Sequence, residues 1–412
     1  MVILFIVVMG ALVYAWIIYP ALVLLLGRRT KGREQWAVGR GLGEDLPGVA
    51  ILLSAHNEES VILKRLENLA ALDYPADHIQ VFVGVDGGTD RTAGIALEWA
   101  QSNPNVHVIV SPKNHGKTAM LKKLVESREL RVESPKSKVQ SRKSKVESRE
   151  SEVSLLVFTD ANTFFAPDAL RHLVSSFGDP EIGGACGRLI FLDDAGTETR
   201  ENLYWRVETL LKMAESRLDS CLGANGAIYA IRSELFWSEI PDSTIIDDFV
   251  IGMKVREQGF RMVYEPQAMA YEQTPALISD EWRRRVRIGA GAFQALAHCR
   301  VCLSPRYGQF ALFFWSHKIL RWFTPHLMIL LVVVATAILV FGTGSVVMVA
   351  AGILAAGAGF VLLAVMGRLI GPSSRLKAFE YFLSMQAALF AGFLRYCRGG
   401  LKGSWERTER GG

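Results

Sequence analysis

The chain reads as an α/β protein: a Rossmann-like domain with a mixed, mainly parallel sheet, held by membrane helices at its N- and C-terminal ends. Three observations predict this. Short β-branched runs alternate with helical stretches between residues 47 and 305, the pattern of parallel βαβ units. Half of the 412 residues are apolar, and they concentrate in long uncharged segments at the two ends. The buried runs end abruptly in carboxylates and amides, where ligands sit in open α/β sheets.

The end segments come first. Residues 2–26 are apolar and long enough to span a bilayer. No small-residue cleavage site follows, so residues 1–27 read as a retained anchor rather than a removed signal peptide. Arg28, Arg29, Lys31 and Arg33 mark a cytosolic flank, which puts the N-terminus outside and the following domain in the cytosol. Residues 28–46 read as a linker. At the other end, residues 306–325 mix aromatics with His317, Lys318 and Arg321, a composition for lying along the interface. Within a C-terminal membrane region, 326–396, residues 327–341 and 346–366 form a hairpin around an uncharged loop. Arg368, Arg375 and Lys377 mark its return to the cytosol. Residues 378–394 are apolar but carry Glu380 between two basic flanks. They fit a span or a helix on the cytosolic face equally, with a cytosolic tail at 397–412. The expected place is therefore the cell (inner) membrane, multi-pass, with the α/β domain cytosolic. A net charge of +5 with basic residues beside the apolar segments fits a membrane-facing protein and argues against nucleic acid as a partner. The five cysteines lack paired zinc spacing. Cys299 and Cys302 form a lone CxxC, read as structural thiols of a reducing compartment.

Within the domain, strands are expected at 49–53, 81–85, 106–110 and 156–159, with helices at 60–72, 92–101 and 118–124. From 125 to 153 the chain repeats every seven residues (Val125-Glu126-Ser127-Arg128, Val146-Glu147-Ser148-Arg149). One valine per heptad is too little for a coiled coil, and the mixed charge, serines and Pro135 predict a solvated, disordered insertion. Residues 182–191 read as a strand pair and 201–217 as a long helix. The Gly-rich turn 223–226 runs into a further strand, and another is expected at 262–264. A helix opens at Asp247-Asp248 and stops at Gly259. Residues 282–297, with Arg283, Arg284, Arg285 and Arg287, form an amphipathic helix.

Five groups of residues could carry chemistry. Asp160, at the end of the central strand, with Asn162 two residues on, could hold a hard divalent cation and through it phosphate oxygens. A helix cap with Asn162 in a turn is the alternative. Asp86 and Asp90 bracket two glycines that let a backbone approach a ligand, or simply form a capping turn. Lys117 behind a glycine could neutralise a pyrophosphate, although the full P-loop pattern is missing. Adjacent Asp247 and Asp248 raise one another's proton affinity, as a general base needs, or serve the helix dipole. The arginines at 283–287 could bind a leaving diphosphate or anionic lipid.

The order of these features resembles the membrane-bound family 2 glycosyltransferases, similar to cellulose, hyaluronan and poly-N-acetylglucosamine synthases. The resemblance covers roughly residues 47 to 340, the 125–153 insertion excepted. It implies a GT-A fold and an inverting transfer from a nucleotide sugar, UDP-linked by expectation, to a growing polysaccharide or a lipid-linked acceptor. By the same resemblance, Asp86 contacts the base or ribose, and Asn57, Glu58, Asp90 and Lys117 line that pocket. Asp160 matches the first Asp of the family's DxD metal motif, for Mg²⁺ or Mn²⁺, and Asn162 replaces the second. Asp248 takes the base position of the family's Glu-Asp pair beside Asp247. Gly223, Ala224, Asn225 and Gly226 line the acceptor site. Arg287 matches the Arg of the family's Gln-x-x-Arg-Trp, with Arg285 beside it, while Arg284 replaces Gln and Ile288 replaces Trp. Losing the Trp that stacks under the acceptor sugar favours, as an alternative, transfer of one sugar to a membrane lipid. A non-catalytic scaffold in a polysaccharide-export complex is the alternative from another class; the retained Asp86, Asp160 and Asp248 stand against it.

Overall fold

A computed structural model describes residues 1–29, 46–132, 153–192, 203–273, 278–370, 376–401 and 403. The chain divides into two compact units, one of residues 1–25 with 277–401, the other of 26–276 with 402–412. It begins with α1 (Val2–Val13), a π turn (Tyr14–Ile18) and α2 (Tyr19–Arg29), a single helix through Val2–Arg29. Pro20 has no N–H to continue the i→i−4 ladder, and the helix passes this point with Tyr19 N–H bonded to Tyr14 O. The helix thus runs through Arg28 and Arg29, the first two residues assigned to the linker, and 30–45 lie outside the described residues.

The α/β unit carries eight strands: β1 (Gly48–Ala55), β2 (Ile79–Asp86), β3 (Val106–Ser111), β4 (Val153–Asp160), β5 (Phe164–Phe165), β6 (Ile182–Leu192), β7 (Ile228–Arg232) and β8 (Arg261–Gln273). Its helices are α3 (Ile62–Ala70), α4 (Thr92–Ser102), α5 (Lys117–Val132), α6 (Ala169–Ser175), α7 (Leu203–Leu218) and α8 (Asp247–Glu257). The sheet order is β3-β2-β1-β4-β7-β6-β8-β5. The β3-β2-β1-β4 half is parallel throughout. Beyond it, β7 runs against β4 and β6, while β8 lies parallel to β6 and antiparallel to β5. The sheet is mixed, as expected, and its parallel half reads as continuous apolar runs because helices cover both faces. All eight residues of β1 are buried. The core on one face packs Val49, Ile51 and Leu53 of β1 against Ile62, Leu66 and Leu69 of α3.

Three expectations need correction. Residues 125–132 of the expected insertion continue α5, with Val125 buried, because the first valine of the repeat still falls on the helix's core face. Residues 133–152 lie outside the described residues. The expected strand pair at 182–191 is the single strand β6, whose length is matched by β8 on its far side. The strand expected at 262–264 runs on to Gln273. Pro266 falls where the β6–β8 register shifts, between Cys186↔Tyr264 and Arg188↔Met269. A bulge tolerates the missing N–H, so the proline does not end the strand.

The helical unit continues with α9 (Ile278–Cys299), α10 (Gln309–Phe313), a second π turn (Phe314–Ile319), α11 (Leu320–Trp322), α12 (Thr324–Phe341), α13 (Ser345–Ile370) and α14 (Lys377–Arg398). Among the described residues, Val2–Arg29, Thr324–Phe341 and Ser345–Ile370 are long and apolar enough to cross a membrane. α14, which contains 378–394, is not among them. The expected interfacial stretch 306–325 is helical over most of its length. It buries Phe310, Phe314 and His317 while Leu312 and Trp315 stay exposed. None of the five cysteines forms a disulfide, and Cys299 and Cys302 are both buried.

Candidate active site

The site forms where β1, β2 and β4 end on the same edge of the parallel half. The loop after β1 holds Asn57 in the left-handed region, φ 57°, which asparagine tolerates better than most residues. From there its Oδ1 accepts the Thr89 N–H at 2.8 Å. Asp90 accepts from Thr92 N–H at 3.0 Å and from Glu59 N–H at 3.1 Å, and Glu58 N–H donates to Thr92 Oγ1 at 2.8 Å. Asn57, Glu58 and Asp90 therefore stitch two loops together, which keeps the pocket edge in one shape.

Asp86 is completely buried. Its carboxylate accepts the His115 N–H at 3.0 Å and the Gly116 N–H at 2.7 Å. Gly116 has φ +100°, a backbone state that side-chain-bearing residues avoid. In this structure, then, the Asp86 carboxylate holds the loop that delivers Lys117 to the first turn of α5.

Lys117 Nζ lies 2.6 Å from Asp160 Oδ1 and 4.0 Å from Asp247 Oδ2. Burial alone would lower the proton affinity of the Lys117 ammonium. The Asp160 and Asp247 carboxylates, with Asp248 further off, outweigh burial and raise it above the ordinary lysine value. Asp247 is 4% exposed, and its Oδ2 accepts no hydrogen bond among the described residues. Burial pushes Asp247 up from 3.8 to about 6, against the pull of Lys117 and with the repulsion of Asp248 and Asp160. Asp248, its neighbour on the first turn of α8, is half-buried and accepts the Gly226 N–H at 2.8 Å through Oδ2. A Cβ on residue 226 would stand 3.1 Å from that oxygen, so a larger residue there would push the carboxylate aside by a few tenths of an ångström. The predicted acceptor loop, Gly223 to Gly226, thus cradles Asp248, and Ala224 N–H also reaches the Asp248 carbonyl at 3.4 Å.

Asn162 Nδ2 donates to Glu272 Oε1 at 2.6 Å, which leaves the amide oxygen, the atom by which an asparagine holds a hard cation. Arg285 and Arg287 stand on α9 in the helical unit, where the Arg285 guanidinium lies 4.4 Å from the centre of the Tyr381 ring.

Three residues that the sequence reading passed over belong to this site. Glu272 is 8% exposed; it sits on the part of β8 beyond Pro266, where no strand was expected. Arg65 is fully buried, donates to Thr159 Oγ1 at 2.9 Å and to Asn68 Oδ1, and packs over Phe165. Burial lowers its proton affinity to about 9, with Asp160 acting the other way. A readable signal existed: Arg65 falls at helical spacing among Ile62, Leu66 and Leu69, on the core face of α3. Tyr229 is completely buried, stacked on Phe158 with centroids 4.6 Å apart, and its hydroxyl has no hydrogen-bond partner.

The comparisons with known proteins bear on the family and the fold. The profile of a family described as "Glycosyltransferase like family 2" matches residues 47–291. Among curated proteins, the chain is similar to the poly-beta-1,6-N-acetyl-D-glucosamine synthase of Staphylococcus aureus, 22% identical over 264 residues, which cover 61% of this chain and 56% of that protein. It is likewise similar to the probable glycosyltransferase YdaM of Bacillus subtilis, 24% identical over 60% of this chain and 56% of that protein. The matched stretch spans little more than half the length of either relative. Among solved structures, a mannosyltransferase of Pyrobaculum calidifontis in complex with GDP-Man and Mn2+ shares the fold. That likeness has a TM-score of 0.66 at 20% identity and covers 96% of this chain and 99% of that one. With a GT-A sheet, carboxylates gathered at its strand ends and a family profile matched over more than half its length, the chain belongs to the family 2 glycosyltransferases.

Proposed function

We propose that this site transfers a sugar, with inversion at the anomeric carbon, from a nucleoside-diphosphate sugar to a hydroxyl of a growing polysaccharide or a lipid-linked acceptor at the membrane. The observation that carries this reading is the convergence of Lys117, Asp160, Asp247 and Asp248, drawn from three separate segments, within one set of charge contacts. Asp248 is the base. One of its oxygens is oriented by the Gly226 N–H, and the other accepts no hydrogen bond among the described residues. The acceptor hydroxyl gives its proton to Asp248 while its oxygen attacks the anomeric carbon. The bond from that carbon to the phosphate oxygen breaks on the opposite face, and the electron pair leaves with the nucleoside diphosphate. Lys117 lies within reach of the charge that develops there. Asp247 orients the pair through its contact with Lys117.

The donor set also fits a divalent cation, Mg²⁺ or Mn²⁺. Asp160 has a second carboxylate oxygen, Asp247 Oδ2 accepts no hydrogen bond among the described residues, and Asn162, tied to Glu272 through Nδ2, keeps its amide oxygen for a cation. No group of three His, Cys, Asp or Glu residues suited to a metal occurs among the described residues. Phosphate oxygens of the donor would complete the shell, as is usual for Mg²⁺. When bound, the cation would neutralise the leaving diphosphate.

Single transfer to a membrane lipid is the second reading, favoured by Ile288, which is 42% exposed where polymerising relatives carry a stacking Trp. Incubating the purified full chain with labelled UDP- and GDP-sugars and sizing the products separates the two. A ladder means polymer growth, and one lipid-soluble product means single transfer. No release of nucleoside diphosphate from any donor would refute both.

A further inference from the structure

The contact between Lys117 and Asp160 bears on how the donor and its cation enter. The ammonium lies 2.6 Å from an oxygen of the carboxylate that is best placed to hold a divalent ion. Both groups are largely shielded, with side-chain exposures of 20% and 30%. Meanwhile Asp247, 4.0 Å from the same ammonium, has a buried oxygen that accepts no hydrogen bond. One lysine therefore balances two acidic groups, and a divalent ion on either Asp160 oxygen would stand beside the ammonium and be repelled by it.

We propose that Lys117 is a resident counter-cation, which holds Asp160 in the donor-free protein and is exchanged for the divalent ion when the donor arrives. This rests on the metal reading above. The backbone of Lys117 stays in place through the exchange, because Asp86 clamps the preceding Gly116 N–H at 2.7 Å. Only the flexible four-carbon stem rotates. Once displaced, the ammonium would pair with the donor's diphosphate. Without the diphosphate, the ion must evict Lys117 and leave a half-buried ammonium unpaired. The nucleotide removes that penalty, so ion and nucleotide bind cooperatively, and by linkage each raises the affinity of the other by the same factor.

The test is Mn²⁺ binding to the detergent-solubilised full chain, read from the free-ion electron paramagnetic resonance signal, with and without UDP or GDP. Lys117→Gln, which removes the charge, is expected to raise Mn²⁺ affinity in the absence of nucleotide by about tenfold and to shrink the cooperativity by a similar factor. Lys117→Met supplies the same charge removal on an apolar stem of similar length if the Gln variant does not fold. Lys117→Arg, which keeps the charge, is expected to keep the low nucleotide-free affinity. Unchanged or weaker Mn²⁺ binding by the charge-removing variants without nucleotide overturns the exchange, while wild-type binding with nucleotide leaves the metal reading intact. If the wild-type chain binds no Mn²⁺ even with saturating UDP and GDP, the metal reading falls and the exchange falls with it.

Discussion

Asp247 shows how the site's charge balance acts on stability. Its folded-state proton affinity is raised from 3.8 to about 6, chiefly by burial. The folded chain therefore binds an extra proton between those two values. This group's contribution is most favourable below pH 3.8 and is lost as the pH rises through about 6. Asp247→Asn is expected to stabilise the protein at pH 8, on the order of 1–3 kcal/mol, with the gain shrinking towards pH 4. Thermal unfolding of both forms across that range checks this, and a lower Tm for the variant at pH 8 would contradict it. Arg65 makes the opposite point. Its guanidinium is fully buried and satisfies Asn68 and Thr159. Arg65→Lys keeps the charge but loses the planar fork. It is expected to cost about 1–3 kcal/mol, seen as a lower denaturation midpoint; an unchanged midpoint would show that the fork does not matter.

At the scale of elements, the site is a set of strand ends and helix starts. Asp86 and Asp160 close β2 and β4, Lys117 opens α5, and Asp247 and Asp248 open α8. These positions were legible because each stands at the boundary between an apolar run and a helical stretch. The partners were not. Nothing in the local pattern said that Asp86 would hold the backbone of residues 115 and 116, or that Asn162 would turn its amide to Glu272. Both pairings join segments that only the sheet order brings together. β5, two residues long, and the far half of β8 were missed for related reasons: one is too short for any period, and the other lies beyond a proline. The contact between the acceptor loop and α8 carries its own prediction. Gly226→Ala would press a methyl group to about 3.1 Å from Asp248 Oδ2 and displace the base. Turnover is expected to fall by about three- to tenfold with donor affinity kept. A parallel loss of donor binding would instead point to a disturbed α/β unit.

On the whole-molecule scale, the chain joins a family 2 glycosyltransferase unit to a helical unit with apolar helices. The end segments were the most legible part of the sequence, since length and lack of charge suffice to define them. The second π turn and the tight helix packing of 306–325 were not, because those depend on which aromatic side chains meet. The basic residues Arg28, Arg29 and Arg368 predict a topology with the catalytic unit inside and the 342–345 loop outside. With exposed Cys397 replaced by serine, Thr343→Cys is expected to react with a membrane-impermeant thiol reagent on intact cells. Labelling only after lysis would reverse the orientation.

In the proposed reaction Asp248 takes the acceptor's proton in a site assembled by Asp160, Lys117 and Asp247. The direct measurement is turnover and donor affinity of Asp248→Asn beside the wild-type chain, with the donor that the labelled panel identifies. The expectation is an unchanged dissociation constant for the donor and a turnover lower by about 10²–10⁴-fold. Turnover near the wild-type value would contradict it.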